Sequence, residues 1–126
     1  MTRYVLDTTF VIDFLRGDRA AVERFEAMFE NGDEPLVNEI IACEAWTAAP
    51  IDGDPALQAL LAAVEFVQPG LASARDAGSW RQSARSRGQV LSLADALIAA
   101  AAYPEAAVLT RNLRDFALTP VRVESY

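Results

Sequence analysis

The sequence contains no histidine, and reading along it shows no lysine either, so all 11 of its basic residues are arginine. These two absences remove whole classes of chemistry. Ser-His-Asp and Cys-His triads, histidine-ligated zinc, Schiff-base lysines and a GxxxxGK[ST] phosphate loop each require a residue the chain does not possess. Its one cysteine, Cys43, has no partner for an intrachain disulfide. No hydrophobic run approaches the ~20 residues that a membrane-spanning helix needs. The opening stretch MTRYVLDTTF enters a strand-like apolar run with no basic leader and long hydrophobic segment before it, which sets the expectation of a cytoplasmic protein. A cationic surplus is missing as well. The net charge of −7 argues against a general polyanion binder, because unspecific nucleic-acid affinity comes from cations neutralising phosphates. The imbalance is uneven: residues 1–63 hold four Arg against twelve Asp and Glu, a sum of −8, whereas residues 64–126 hold seven Arg against six acids, a sum of +1.

What the chain does have is apolar material. Hydrophobic residues make up 52% of its 126 positions and charged ones 23%, enough to bury a core and to exclude disorder. The length fits a single domain over residues 1–126. Apolar periodicity predicts a strand at Tyr4–Leu6 and then a helix carrying Phe10, Val11, Phe14 and Leu15 up to Gly17. Further helices are expected over Arg19–Asn31, Glu39–Ala49, Ala56–Val64, Ser73–Arg87 and Leu93–Ala102. Their boundaries are marked by Gly32, by Asn38 and Pro50, by Asp54-Pro55, by Gly88, and by Ser92 and Pro104. Short extended segments are expected at Pro35–Val37, at Glu65–Val67 before Pro69-Gly70, at Ala107–Thr110 and at Val121–Val123, with a helical turn over Arg111–Ala117. Strands alternating with helices imply an α/β fold: a central parallel sheet flanked by helices in a three-layer α/β/α arrangement, with sites beyond the carboxyl ends of the strands.

Four acids stand where an apolar element begins, ends or is interrupted: Asp7, Glu44, Asp95 and Asp115. An ionised carboxylate away from water is costly unless it is paired, hydrogen-bonded or bound to a metal. Converging carboxylates form a hard-oxygen site suited to Mg²⁺ or Mn²⁺ and to phosphate chemistry, with no histidine required. Each acid also has a local reading. Asp7 suits a helix cap, Ser92-x-x-Asp95 matches a capping box, Glu44 fits a solvated helix position, and Asp115 is placed to pair with Arg111. Asp13, Asp18 and Glu39 look like first-turn or solvated-face acids. Spacing alone leaves open whether the four meet.

The strings Tyr4-Val5-Leu6-Asp7-Thr8-Thr9, Leu91 to Ala100 (LSLADALIAA) and Thr110-Arg111-Asn112-Leu113-Arg114-Asp115-Phe116 resemble the three signature segments of the PIN-domain family, in the right order. Within that family the likeness is to VapC-type toxins of type II toxin-antitoxin operons, and it runs from about Arg3 to Val123. The resemblance implies a metal-dependent ribonuclease that uses Mg²⁺ or Mn²⁺, with Asp7, Asp95, Glu44 and Asp115 as the acid pocket and Glu39 as the alternative to Glu44. It implies hydrolysis by water that leaves a 5'-phosphate and a 3'-hydroxyl, on a transfer or ribosomal RNA. A VapB-type antitoxin and a homodimer are the implied partners. Thr9 stands where Asn or Ser is more usual, Ala48 where Gly is usual, and Asn112 where some relatives carry an acid, which bears on a second metal.

Substrate grip has to come from arginine. Arg81 and Arg85 lie one turn apart on the Ser73–Arg87 helix, while Arg111 flanks Asp115 together with Thr110 and Asn112. Trp46 and Trp80 are candidates for base stacking or for packing. The apolar segments Glu39–Ala49 and Ala56–Val64 carry more Ala, Leu, Ile and Trp than a small core needs, which suggests an exposed groove. Two other readings compete: a non-catalytic PIN-fold scaffold, and a Mg-binding receiver-like signalling module whose phosphoryl site would need the lysine this chain lacks.

Overall fold

The computed structural model describes residues 1–68 and 70–126; Pro69, expected to close an extended segment, lies outside the described residues. Strand β1 (Arg3–Leu6) buries Tyr4, Val5 and Leu6 in succession, as a central strand covered on both faces must. Asp7 then ends the strand and caps helix α1 (Thr8–Leu15), so the helix starts ahead of the first apolar position, Phe10. Helix α2 (Arg19–Glu30) is capped by the Asp18 carboxylate, which accepts the Ala21 amide at 3.0 Å. It ends at Asn31 and Gly32, the latter at φ +71°, a conformation natural to glycine. Strand β2 (Glu34–Asn38), helix α3 (Glu39–Ala48), helix α4 (Pro55–Ala63) and strand β3 (Glu65–Val67) follow. Helices α5 (Leu71–Ser86) and α6 (Leu93–Ala102), strand β4 (Ala107–Leu109), a 3₁₀ turn (Leu113–Phe116) and strand β5 (Arg122–Glu124) complete the chain. Helix α5 begins earlier than its polar first turn suggests, from Gly70 and without a side-chain cap.

The five strands form one sheet in the order β3-β2-β1-β4-β5, every neighbouring pair parallel, with Val5 opposite Leu36 on one side and Val108 on the other. Strand order reverses between β1 and β4. Because parallel crossovers are right-handed, the connections running outward from β1 to β3 cover one face, and the return from β3 to β4 covers the other. The contacts agree: α2 and α3 pack on β2, while α6 packs across β1, β2 and β4. The main core holds Phe10, Met28, Leu36, Ile41, Leu57, Leu109 and Phe116, all fully buried. A smaller cluster of Ala77, Ala84, Leu91, Ala96 and Ala100 joins α5 to α6 through short side chains that let the two helices lie close. Trp80 touches both clusters and stands edge-on to Tyr103 at 5.4 Å, so it is a packing residue rather than a free stacking platform. No helix among the described residues is long and apolar enough to cross a membrane.

Asn38 ties the two layers together at the carboxyl end of β2. Buried in the core, it accepts the Ile41 amide at 3.1 Å as the cap of α3 and donates its own amide to the Leu97 carbonyl of α6 at 3.2 Å. An alanine there loses the cap, leaves the buried Ile41 amide without a partner and removes the tie to α6. Asn38→Ala is therefore expected to cost about 2–4 kcal/mol, read as a shift in the urea unfolding midpoint. A change within experimental error would mean that water replaces both bonds.

Candidate active site

The reversal of strand order places a crevice beyond the ends of β1 and β4, where open parallel sheets bind their ligands. Asp7 follows β1 and Thr110 follows β4, and the Asp7 amide donates to the Leu109 carbonyl at 3.1 Å, holding the two exits side by side. The Asp7 carboxylate is buried and both of its oxygens accept hydrogen bonds, with one acceptor position left on Oδ1. Its Oδ1 accepts the Thr8 amide at 2.8 Å, and its Oδ2 accepts the Thr110 hydroxyl at 2.7 Å and the Thr9 hydroxyl at 3.1 Å. Capping and site-building are thus done by one side chain with two oxygens.

Glu44 comes from the middle of α3. Half-buried, it accepts the Thr8 hydroxyl at 2.6 Å, which brings it to the same N-terminal turn of α1 that Asp7 caps. Asp95 lies in the first turn of α6, where its amide donates to the Ser92 hydroxyl at 3.0 Å, so the capping bond anticipated from Ser92-x-x-Asp95 forms. Its carboxylate nevertheless lies within reach of the charge of the other acids. Burial pushes the Asp95 carboxyl above the usual range, the Ser92 hydrogen bond opposes this, and the charges of Asp115, Asp7 and Glu44 add to the rise. Burial likewise raises the Asp7 carboxyl, against the Thr110, Thr8 and Thr9 hydrogen bonds, with Glu44 adding repulsion. Asp95 thus feels the other three sequence candidates, and Asp7 feels Glu44. Glu39 is exposed at the start of α3 and is not among the charges that act on Asp7 or Asp95.

Asp115 is the exposed member. It stands on the 3₁₀ turn anchored by the buried Phe116, and with Arg111, Asn112, Leu113 and Arg114 it lines an open groove of about 430 Å³. The local pairing expected between Arg111 and Asp115 does not form. Arg111 pairs instead with Asp13 at 3.1 Å, and Asp13 is buried rather than solvated, because α1 turns it inward toward Arg111 and Tyr126. Thr110 is wholly buried and the Thr9 hydroxyl is turned to Asp7, so both hold that carboxylate and neither is free to reach a substrate. Arg81 and Arg85 lie apart, around a hollow of about 170 Å³ with Gln89, Val90 and Leu91, where Arg81 Nε donates to the Leu91 carbonyl at 3.1 Å. Trp46 remains 43% exposed on α3. Sequence reasoning passed over Thr8 and Tyr126; the doubled hydroxyl after Asp7 was the available signal for the first, and nothing local marked the second.

The donor set is all oxygen, which suits a hard divalent cation. No three Asp, Glu or Cys side chains among the described residues close into a ready-made cage. A Mg²⁺ ion, which keeps several waters and takes only one or two protein carboxylates, needs no such cage.

Comparison with known proteins gives a consistent result. The PIN domain model matches residues 4–120. The chain is 32% identical over 117 residues to Ribonuclease VapC19 of Mycobacterium tuberculosis (strain CDC 1551 / Oshkosh), which covers 92% of this chain and 94% of that protein. It superposes on a chain of a toxin-antitoxin complex from Klebsiella pneumoniae with a TM-score of 0.76 and 25% identity, over 93% of this chain and 92% of that one. With VapBC2 from Rickettsia felis, solved bound to a DNA fragment from its promoter, the TM-score is 0.82 at 18% identity over 99% of both chains, a likeness of fold. A receiver-like module is excluded by these matches. Acids converging at the switch point of a five-stranded parallel sheet, and a match from Tyr4 to Pro120, have one common explanation: the chain belongs to the PIN-domain family, in its VapC branch.

Proposed function

We propose that this protein is the ribonuclease toxin of a type II toxin-antitoxin pair, hydrolysing RNA phosphodiesters at the Asp7, Glu44, Asp95 and Asp115 cluster with the help of Mg²⁺ or Mn²⁺. The observation that carries the reading is the gathering of carboxylates at the sheet's switch point, where burial first and neighbouring acids second raise the Asp7 and Asp95 carboxyls, a charge that a bound cation would offset. Asp7 and Asp95 are the ligands best placed to hold the ion, with Glu44 and Asp115 completing its surroundings through water. When bound, the ion supplies Lewis acidity, lowering the pKa of attached water and drawing charge from the phosphate. The protein's own part is positioning. Thr9 and Thr110 fix the Asp7 carboxylate, Thr8 fixes Glu44, and the exposed Asp115 faces the groove, where it can orient water and take its proton. Asn112 and Arg114 on the groove wall are placed to meet the RNA backbone.

A VapB-type antitoxin is the proposed partner, in keeping with the complexes that share this fold. Between α1 and the α3–α4 connection lies a hollow of about 180 Å³ lined by Ile12, Leu15, Ala45, Ala48, Ala49 and Pro50, with Arg16 and Asp54 at its margins. It fits the apolar side of an amphipathic segment, and it answers the surplus of small apolar residues in α3 and α4. A homodimer is part of the same proposal.

The test is 5'-end mapping of cellular RNA incubated with antitoxin-free protein and Mn²⁺, with EDTA as control. Discrete cuts bearing 5'-phosphates and lost in EDTA are expected; folded protein that leaves the RNA whole would favour a non-catalytic scaffold. The raised carboxyls of Asp7 and Asp95 add a pH dependence. Metal must displace protons that these sites hold more tightly than ordinary carboxylates do, so the Mn²⁺ concentration for half-maximal cleavage is expected to rise as pH falls from neutral toward 5. A flat dependence would place the metal elsewhere.

A further inference from the structure

Asp13, Arg111 and Tyr126 form a polar group beside the acid cluster that holds none of its carboxylates. The Asp13 carboxylate is buried, and Arg111 Nη2 approaches both its oxygens, at 3.2 and 3.1 Å. The Tyr126 hydroxyl donates to Asp13 Oδ2 at 2.5 Å, and the Tyr126 ring stands edge-on to Phe10 at 4.9 Å. The Thr9 hydroxyl, which donates to Asp7, also lies beside the Tyr126 oxygen. Arg111 itself sits between Thr110 and Asn112, whose bonds lead back to Asp7: Thr110 donates to the carboxylate and accepts the Asn112 amide at 2.9 Å.

Arg111 shares the groove with Asp115, four positions on and across a tight turn, where a guanidinium would ordinarily find the nearest carboxylate. A cation fixed on Asp115 or its neighbours would neutralise the charge that draws a divalent ion. Asp13 prevents this by offering a buried carboxylate, braced at Oδ2 by Tyr126, which Arg111 Nη2 meets at both oxygens from the groove wall. We propose that Asp13, braced by Tyr126, is a positioning residue that keeps the Arg111 guanidinium off the acid cluster and so leaves the cluster open to a divalent cation. This rests on the metal-dependent reading above.

The test is Mn²⁺ binding followed by calorimetry without RNA, well below the unfolding transition. Loss of a supporting group next to metal ligands typically costs 10–100-fold, so Asp13→Asn is expected to bind Mn²⁺ about 10-fold more weakly, and Tyr126→Phe a few-fold more weakly. If the freed arginine is the cause, the double variant Asp13→Asn/Arg111→Gln recovers affinity to within about 3-fold of wild type, a non-additivity that a packing defect would not produce. Wild-type affinity in Asp13→Asn, or a double variant as weak as the single one, overturns the proposal. Wild-type protein that binds no Mn²⁺ overturns the metal-dependent reading with it, whereas wild-type protein that binds and cleaves beside unaffected variants overturns this inference alone.

Discussion

Asp95→Asn is expected to lower RNA cleavage by roughly 10³-fold while leaving the metal-free protein at least as stable as wild type at pH 7. The loss of rate follows from losing an ion whose charge stabilisation is worth several kcal/mol, each ~1.4 kcal/mol being a factor of ten. The retained stability follows from the direction of the carboxyl shifts. Burial raises both groups, with neighbouring acids adding to the rise. A carboxyl whose folded pKa lies above its unfolded one binds protons more tightly in the native state. Its contribution to stability is complete below the unfolded pKa and is lost as pH rises through the folded one. Once that contribution is lost, the ionised cluster strains against itself. At position 95 an amide removes one charge and leaves the Ser92 cap bonded to the backbone, whereas at position 7 it would turn an NH₂ toward either the Thr8 amide or the Thr110 and Thr9 hydroxyls. Melting curves with and without Mn²⁺, from pH 5 to pH 7, separate the two effects. Asp95→Asn should melt no lower than wild type without metal and should show little of the wild type's gain when Mn²⁺ is added. Undiminished cleavage by Asp95→Asn would remove the cluster from the reaction. A fall in metal-free stability would instead make the carboxylate a structural ion.

Phe116→Ala is expected to be the most damaging single truncation for both fold and site. Phe116 is 1% exposed and closes the 3₁₀ turn that carries Asp115, so its ring fixes that turn to the core. Emptying an aromatic site costs about 3–5 kcal/mol, a large share of the 5–15 kcal/mol typical of a domain. The corresponding fall in melting temperature is about 10–20 °C for a chain of this size. Asp115 loses its anchor in the same stroke, so cleavage should drop even at temperatures where the variant stays folded. Phe116→Leu, which keeps much of the apolar volume, should fall between the two. Full activity in folded Phe116→Ala would mean that the turn is held by Leu113 and the backbone, and that Asp115 needs no precise seat.

Much of the architecture was legible because it is written locally. Asn38 caps α3 as its position before Glu39 foretells, and Ser92 caps α6 through the Asp95 amide. The extended reading of Glu65–Val67 holds, although two of its three residues are exposed, because β2 supplies its hydrogen-bonding partner. Helix α1 began earlier than the apolar pattern indicated, since a cap acts on the two residues ahead of the first buried one. The acids were legible as chemistry and not as geometry. Glu39 and Glu44 lie on one helix, and no spacing rule tells which meets Asp7. The choice falls to Glu44 because α3 packs against α1 and sets it against Thr8. Arg111 shows the opposite failure. Sequence proximity favours Asp115, but the partner is Asp13, 98 residues away, because a buried carboxylate gains more from a cation than an exposed one does.

By itself, the sequence determined which chemistry was open to this protein. Without histidine or lysine, carboxylates had to carry it, and the alternation of apolar strands with capped helices specified a parallel sheet. Only the tertiary structure decided which acids meet and what holds them. Asp7 and Thr110, 103 residues apart, touch because β1 and β4 are neighbours where the strand order reverses, while α3 sets Glu44 against Thr8 and α6 sets Asp95 where the charges of Asp7, Glu44 and Asp115 reach it. Nothing local favours such a gathering, since like charges repel at every step of their approach. The burial of the core beneath them supplies the free energy that holds the carboxylates together.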